Sequence, residues 1–335
     1  MAEINARNVN QALSTAIWKL RCGNYPVEQT RNGPVLAFPE PVITTYRHPD
    51  ARVLFAPERD ANPIFHLLES IWMLAGRRDV AFLQQFNSTI GKYSDDDSVF
   101  NAAYGYRWRS HFGVDQLKRV VEMLRRDPGT RQAVIQMWDP ADLSKDTKDK
   151  ACNTQIVFDC RGDKLNMSVF NRSNDLWYGA YGANAVHMSF LQEFVAHAVK
   201  LPIGPYRQIS NNLHLYMEVY DGQKVLDNVY QLDDHDYYAD GQVRPLPILE
   251  NADYAGFLYD CESFCCDPFN AEARYYHPFF LGVAQPMAMV SRMRKSGAGD
   301  GSAWAAKIKA PDWRRATFDW IHRRELKKQQ SASAS

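Results

Sequence analysis

The stretch Pro63-Ile-Phe-His-Leu-Leu-Glu-Ser-Ile-Trp-Met-Leu-Ala-Gly76 limits the fold more than any other part of this chain. Proline is tolerated in the first turn of a helix and glycine closes one, so the segment reads as a helix, apolar almost all round. A helix without a polar face must be covered on every side, which requires a large core. With 335 residues, 45% of them hydrophobic and 13% aromatic, the chain can build one. The same helix carries Glu69. An ionised carboxylate left unpaired in apolar surroundings costs several kcal/mol, so Glu69 either meets a partner or lines a site.

The rest of the chain supplies cover for that helix. A second buried helix is expected over 184–200. An amphipathic one, capped at Asn10 or a neighbour, carries Leu13, Ala16, Ile17 and Leu20 and stops before Gly23. Another is capped by Asp115, carries Leu117, Val120, Val121 and Leu124, and is closed by Asp127-Pro-Gly129. Strand-like runs cover 133–138, 154–158 and 165–170, the last two joined by a turn at Gly162. Helix and strand signals lack the regular alternation of a doubly wound sheet, so the class is α+β.

Charge separates the chain into parts. It carries 39 Lys+Arg against 39 Asp+Glu, which argues against a protein that coats nucleic acid. The zero sum hides an acidic stretch, 225–275, with eleven acids against Arg244 and Arg274, and a basic end, 292–335, with eleven bases against four acids. Between them, 296–302 reads as a flexible linker, followed by a basic helix from Pro311 with Trp313, Trp320 and Ile321 on its apolar side. The final QQSASAS reads as a frayed tail. No apolar run is long enough to span a membrane, and the first residues lack a signal-peptide layout, so a cytoplasmic protein is expected. The six cysteines, at 22, 152, 160, 261, 265 and 266, form neither a disulfide framework nor a zinc-ligand pattern.

Some residues point to chemistry. Cys152, in Lys-Ala-Cys-Asn-Thr-Gln at the entry to a strand, is a candidate nucleophile, although a lone cysteine is more often a small apolar core residue. As a nucleophile it needs positive charge nearby to become a thiolate, and Arg172, in Asn171-Arg-Ser-Asn-Asp175, is placed to supply it. Arg31, Arg131 and Arg172 stand beside turns or polar clusters and suit a phosphate, with surface ion pairs as the alternative. Asn211-Asn-Leu-His-Leu-Tyr216 gathers hydrogen-bonding side chains at the end of a β-like run, for a ligand or for the core itself.

These fragments fall into one pattern. Ala103-Tyr-Gly-Tyr-Arg-Trp-Arg109, Asp127-Pro-Gly-Thr-Arg131, Cys152, Asn171-Arg-Ser-Asn-Asp175 with Gly179, Asn184 and His214-Leu-Tyr216 have the order and approximate spacing of thymidylate synthase. The resemblance spans roughly residues 8 to 282 and is nearest to the phage pyrimidine-nucleotide hydroxymethylases of that superfamily. It implies a large mixed sheet with packed helices and a homodimer formed through the sheet, with residues 1–285 as the catalytic domain and 286–335 as linker, basic helix and disordered tail. Cys152 would attack C6 of the pyrimidine. Arg31, Arg172 and Ser173 would hold the 5′-phosphate, with Arg131 reaching in from the second subunit. His214 and Tyr216 would bind the sugar hydroxyl, Glu69 and Tyr104 would move protons, and Asn184 would read the base edge. Asp175, Tyr93 and Gly179 would contact methylenetetrahydrofolate, the one-carbon co-substrate, and no metal is implied.

The departures from the family pattern choose among activities. Ile90 and Tyr93 stand where the synthases have tryptophans, and the chain runs on past His277-Pro278 instead of ending in a short apolar tail. A wetter site lets water, rather than hydride, add to the C5 methylene, giving a 5-hydroxymethyl nucleotide. In phage, such a product would supply modified bases for viral DNA. Asn184 favours uracil, since the cytosine hydroxymethylases carry aspartate there, although a flipped amide would suit cytosine. Asn153 replaces a histidine beside the nucleophile, Gln132 replaces a second arginine, and one extra residue lies within Gly179-Ala-Tyr-Gly-Ala-Asn184. A dUMP hydroxymethylase is the expectation. A methylating synthase, a dCMP or CMP hydroxymethylase, and a non-catalytic nucleotide- or nucleic-acid-binding protein are the alternatives.

Overall fold

The computed structural model describes residues 1–232, 235–249 and 253–333. The Pro63–Leu74 helix opens as its sequence requires. Asn62 accepts from the Phe65 N–H, Pro63 occupies the first turn, and Gly76 follows with φ of 70°. Every residue of this helix is buried except Glu69. It packs on the Asn184–Val199 helix, itself buried except at His197 and Val199. The Tyr254–Cys266, Gln285–Ser296 and Pro311–Ser333 helices cover its remaining sides.

Two sheets frame these helices. The six-stranded sheet has the order β1 (Ala2–Ala6), β4 (Val42–Tyr46), β9 (Ile203–Ser210), β7 (Lys164–Asn171), β6 (Asn153–Arg161), β5 (Val134–Gln136). Its β1/β4 and β7/β9 pairs are parallel and the others antiparallel, so the sheet is mixed. The four-stranded sheet runs β2 (Val27–Thr30), β3 (Gly33–Ala37), β10 (Leu213–Tyr216), β8 (Asn174–Asp175). Gly162 and Asp163 both take positive φ, 59° and 57°, and make the tight β6–β7 turn that pairs Arg161 with Lys164. The first strand expected, 133–138, is shorter, because only Val134–Gln136 pairs with β6.

Strand alternation gives the large sheet two unlike faces. Val42, Tyr46, Tyr206, Met167, Val169, Ile156 and Ile135 point into the helical core. The other face carries two cross-strand rows, Ile43–Ile209–Phe170 and Arg207–Ser168–Val157–Val134, and these residues are half-buried or exposed.

The C-terminal segment departs from its reading as linker and tail. Gly297, with φ of 71°, closes the Gln285–Ser296 helix, and Asp300 accepts from the Ser302 N–H at 2.8 Å to start the short Ser302–Ala305 helix. The supposed linker is therefore a short, hydrogen-bonded turn between helices. The basic helix buries Trp313, Ala316, Trp320 and Ile321 in the common core. Arg323, Arg324 and Lys327 reach Asp60 at 3.0, 2.6 and 2.7 Å. Residues 329–333, where fraying is expected, continue the helix to Ser333, consistent with their good helix formers; 334 and 335 lie outside the described residues.

Candidate active site

Cys152 ends the loop that enters β6 and is half-buried. Its backbone N–H donates to Tyr104 Oη at 3.2 Å, as does that of Asn153 at 3.3 Å. Tyr104 is brought there by close contact of its short helix with the end of Pro63–Leu74. A Cβ on Gly105 would stand 1.9 Å from the Met73 carbonyl oxygen, so only glycine fits. Burial, and then charge on Cys152, push the Tyr104 phenol well above its usual range, so it holds its proton. Burial also pushes the Cys152 thiol up, and Arg172 pulls it back. Arg172 donates through Nε to the Ala151 carbonyl at 2.8 Å, and its Nη2 stands 3.8 Å from Sγ.

The other phosphate candidates are less gathered. Ser173 is half-buried next to Arg172. Arg31 is exposed in the β2–β3 turn, whose Asn32 donates through Nδ2 to Tyr216 Oη at 3.4 Å. Arg131 is exposed in the turn leading into the edge strand β5 and forms no ion pair among the described residues.

Behind Cys152 runs a chain of side-chain amides. Asn171 Nδ2 donates to Asn153 Oδ1, Asn153 Nδ2 to Asn184 Oδ1 at 3.2 Å, Asn184 Nδ2 to Asn174 Oδ1 at 3.0 Å, and Asn174 Nδ2 to Ser210 Oγ at 3.2 Å. Asn184 spends one donor and one acceptor in the chain and keeps one of each for a ligand. Gly179 packs against this chain, where a Cβ would stand 2.9 Å from Asn174 Oδ1. The segment before Asn184, where the resemblance implies one extra residue, forms wide π-helical turns over Leu176–Ala183, kinked at Tyr181.

Parallel pairing of β8 with β10 sets His214 beside Asp175. His214 Nδ1 meets Asn212 Oδ1 at 2.7 Å, while its Nε2 is buried without a partner. Burial lowers its pKa, against the opposing pull of Asp175, so the ring is neutral at pH 7. Asp175 caps the following helical turn, accepting from the Trp177 and Tyr178 N–H groups at 3.3 and 2.8 Å, and accepts also from Tyr220 Oη.

A cavity of about 210 Å³ opens between these elements, with Trp72, Leu83, Ile90, Tyr93 and Phe100 as apolar wall and Glu69, Tyr104, Asp149, Asn184 and His187 as polar lining. Glu69 does both things expected of it: it lines the cavity and stands 3.1 Å from His187 Nε2. A larger hollow of about 490 Å³, on Arg59, Trp177, Tyr178, Tyr220 and Lys224, contains none of Glu69, Tyr104 and Asn184; Cys152 lines neither space and adjoins the smaller one through Tyr104, whose Oη takes its backbone N–H. Among the described residues no group of three or more His, Cys, Asp or Glu is arranged to hold a metal. No helix of the described residues is long and apolar enough to cross a membrane.

Sequence reasoning missed His187, Asn174 and Asp149. His187 was readable, because it lies three residues after Asn184 and so on the same helix face. Asp149 stands three residues before Cys152, a carboxylate too near a candidate nucleophile to be ignored.

Comparison with known proteins points to one family. The thymidylate synthase family profile matches residues 61–234. The deoxyuridylate hydroxymethyltransferase of Pseudomonas phage M6 is 42% identical over 97% of this chain and 95% of its own length. The protein of the same name from Bacillus phage SP01 is 38% identical over 63% of this chain and 57% of its own. The crystal structure of thymidylate synthase from T4 phage superposes with a TM-score of 0.54 at 21% identity, covering 64% of this chain and 79% of that one, and shares the fold.

Proposed function

This chain belongs to the thymidylate synthase family, and from that premise we propose that it is a deoxyuridylate hydroxymethyltransferase, converting dUMP to 5-hydroxymethyl-dUMP. The observation that carries the reading is the near full-length match to a phage protein of that name, together with a cavity whose wall has Ile90 and half-exposed Tyr93 rather than a tryptophan pair.

The cavity offers an apolar wall for a pterin and, on Asn184, an amide with one donor and one acceptor to spare for the base. Methylenetetrahydrofolate, when bound, supplies an activated one-carbon unit. In this reading Asp175, Tyr93 and Gly179 hold that co-substrate. Cys152 Sγ adds to C6, which makes C5 nucleophilic. Arg31, Arg172 and Ser173 bind the phosphate, and the sugar hydroxyl meets His214 Nε2, the buried nitrogen without a partner, and Tyr216. Asn184 donates to O4 and accepts from N3–H, stabilising charge as it develops on the base. Tyr104 and Glu69 handle the proton at C5 and the charge at O4. Water then adds where the synthases deliver hydride.

A second copy of the chain is proposed to cover the open sheet face, with Arg131, beside its edge strand, completing the partner's phosphate site. The decisive test mixes enzyme and methylenetetrahydrofolate with dUMP, dCMP or CMP. 5-Hydroxymethyl-dUMP without dihydrofolate is expected, and thymidylate with stoichiometric dihydrofolate would overturn the reading.

A further inference from the structure

We propose that Asp149 is the base that takes the proton from the water adding to the C5 methylene group, a role that rests on the hydroxymethyl-transfer reading above. Neutral water is a weak nucleophile, and a positioned base typically contributes 10²–10⁴-fold to such a step. The polar groups lining the cavity are Glu69, Tyr104, Asp149, Asn184 and His187. Glu69 is taken up by the earlier proton and charge movements, and His187 Nε2 stands 3.1 Å from its carboxylate. Tyr104 accepts two backbone N–H groups and keeps its own proton. Asn184 is tied at both ends of its amide and has no basicity to offer.

Asp149 is left. One oxygen, Oδ2, accepts from the Ala102 N–H at 2.8 Å, and the carboxylate forms no ion pair among the described residues. The Asp149 carbonyl accepts from Asn101 Nδ2 at 3.0 Å, so backbone and side chain are both tied to the 101–102 segment. Its charge is felt at both Cys152 and Tyr104, which puts it within electrostatic reach of the reacting ring. Burial raises its carboxyl above the usual range, making it a stronger base than an exposed aspartate.

The step balances as follows. After C5 has lost its proton and tetrahydrofolate has left, the nucleotide carries an exocyclic methylene at C5 and Cys152 Sγ at C6. Water oxygen bonds to the methylene carbon while its proton passes to the Asp149 carboxylate. The C5–methylene π pair moves to C4–O4 as an enolate. The enolate collapses, C4=O4 and C5=C6 form, and the C6–S bond breaks, leaving the Cys152 thiolate, 5-hydroxymethyl-dUMP and protonated Asp149.

Asp149→Asn separates this role from a merely structural one, because the amide oxygen can still accept from Ala102. In single turnovers with tritium at C5 of dUMP, tritium release should change by no more than about threefold, while formation of 5-hydroxymethyl-dUMP falls about 10²-fold. The stalled adduct should appear as a Cys152-linked nucleotide carrying one extra carbon in the mass spectrum of the quenched protein, and added 2-mercaptoethanol should capture the methylene. Unchanged product formation, or equal loss of tritium release and product, would overturn the role of Asp149. Wild-type enzyme in the same assay tests the underlying reading separately: thymidylate from the wild type would remove both, whereas hydroxymethyl product leaves the variant to decide.

Discussion

Arg172 Nη2 stands 3.8 Å from the Cys152 sulfur, while the same guanidinium is anchored through Nε on the Ala151 carbonyl. The cation is thus fixed where it opposes the burial that disfavours the thiolate. Arg172→Ala removes the opposing charge, so the thiol pKa should move further up. Iodoacetamide alkylation of Cys152 at pH 8 should slow roughly 3- to 10-fold, and the inflection of rate against pH should move to higher pH. An unchanged rate would show that the thiol does not feel this charge.

Asn184→Asp places an acceptor-only group opposite Asn174 Oδ1, where Asn184 Nδ2 now donates at 3.0 Å. The variant loses the donor for O4 of uracil and gains an acceptor for an exocyclic amine. Its kcat/KM for dUMP should fall by about 10²-fold or more, with the ratio moving towards dCMP. Side-by-side kinetics on the two nucleotides checks this.

Gly105→Ala would press a methyl group against the Met73 carbonyl, a backbone atom that cannot turn aside. A stability loss of about 3 kcal/mol is expected in denaturant unfolding. Activity should fall as well, because Tyr104 moves with the displaced backbone.

Asp312 is buried in the C-terminal helix and accepts from Tyr238 Oη at 3.0 Å; burial pushes its carboxyl up to about 7. The folded chain therefore binds a proton that the unfolded chain has released. Stability from this group is fully present below about pH 4 and is lost as pH rises towards about 7, by up to about 1.4 kcal/mol per pH unit. Asp312→Asn keeps an acceptor for Tyr238 and removes the titration. Melting temperatures at pH 5 and pH 7.5 should therefore differ less in the variant than in the wild type.

Phe170 is 37% exposed and lies in the open sheet row between Ile209 and Gln155. If a second copy covers this face, Phe170→Glu buries a charge and the dimer should dissociate in sedimentation velocity, with loss of activity as Arg131 leaves the partner site. A monomeric wild type of full activity would refute the shared site.

The sequence made the helical core legible because its signals are local. Asn62-Pro63 at one end and Gly76 at the other bracket a helix with no polar face, and Gly162 marks the β6–β7 hairpin. Cys152, Tyr104 and Arg172 were singled out through a resemblance of motifs, and the fold sets them side by side. The amide chain was not legible, because it joins residues from β6, β7, β8 and the Asn184–Val199 helix, and no spacing in sequence reports that meeting. The same holds for the C-terminal segment: glycine-rich composition suggested looseness, whereas caps at Gly297 and Asp300 hold it.

The clamp of Arg323, Arg324 and Lys327 on Asp60 has a consequence for the order of assembly during synthesis. Asp60 lies just before the helix that bears Glu69, yet its counter-charges are more than 260 residues downstream. A ribosome must therefore finish nearly the whole chain before one flank of that apolar helix can be covered. Until then the apolar residues of that helix that face the C-terminal one stay without part of their final packing, as a sticky surface on the nascent chain. A transcript cut short before Pro311 would yield a polypeptide with every motif of the catalytic site and no lasting means of keeping that surface from aggregation.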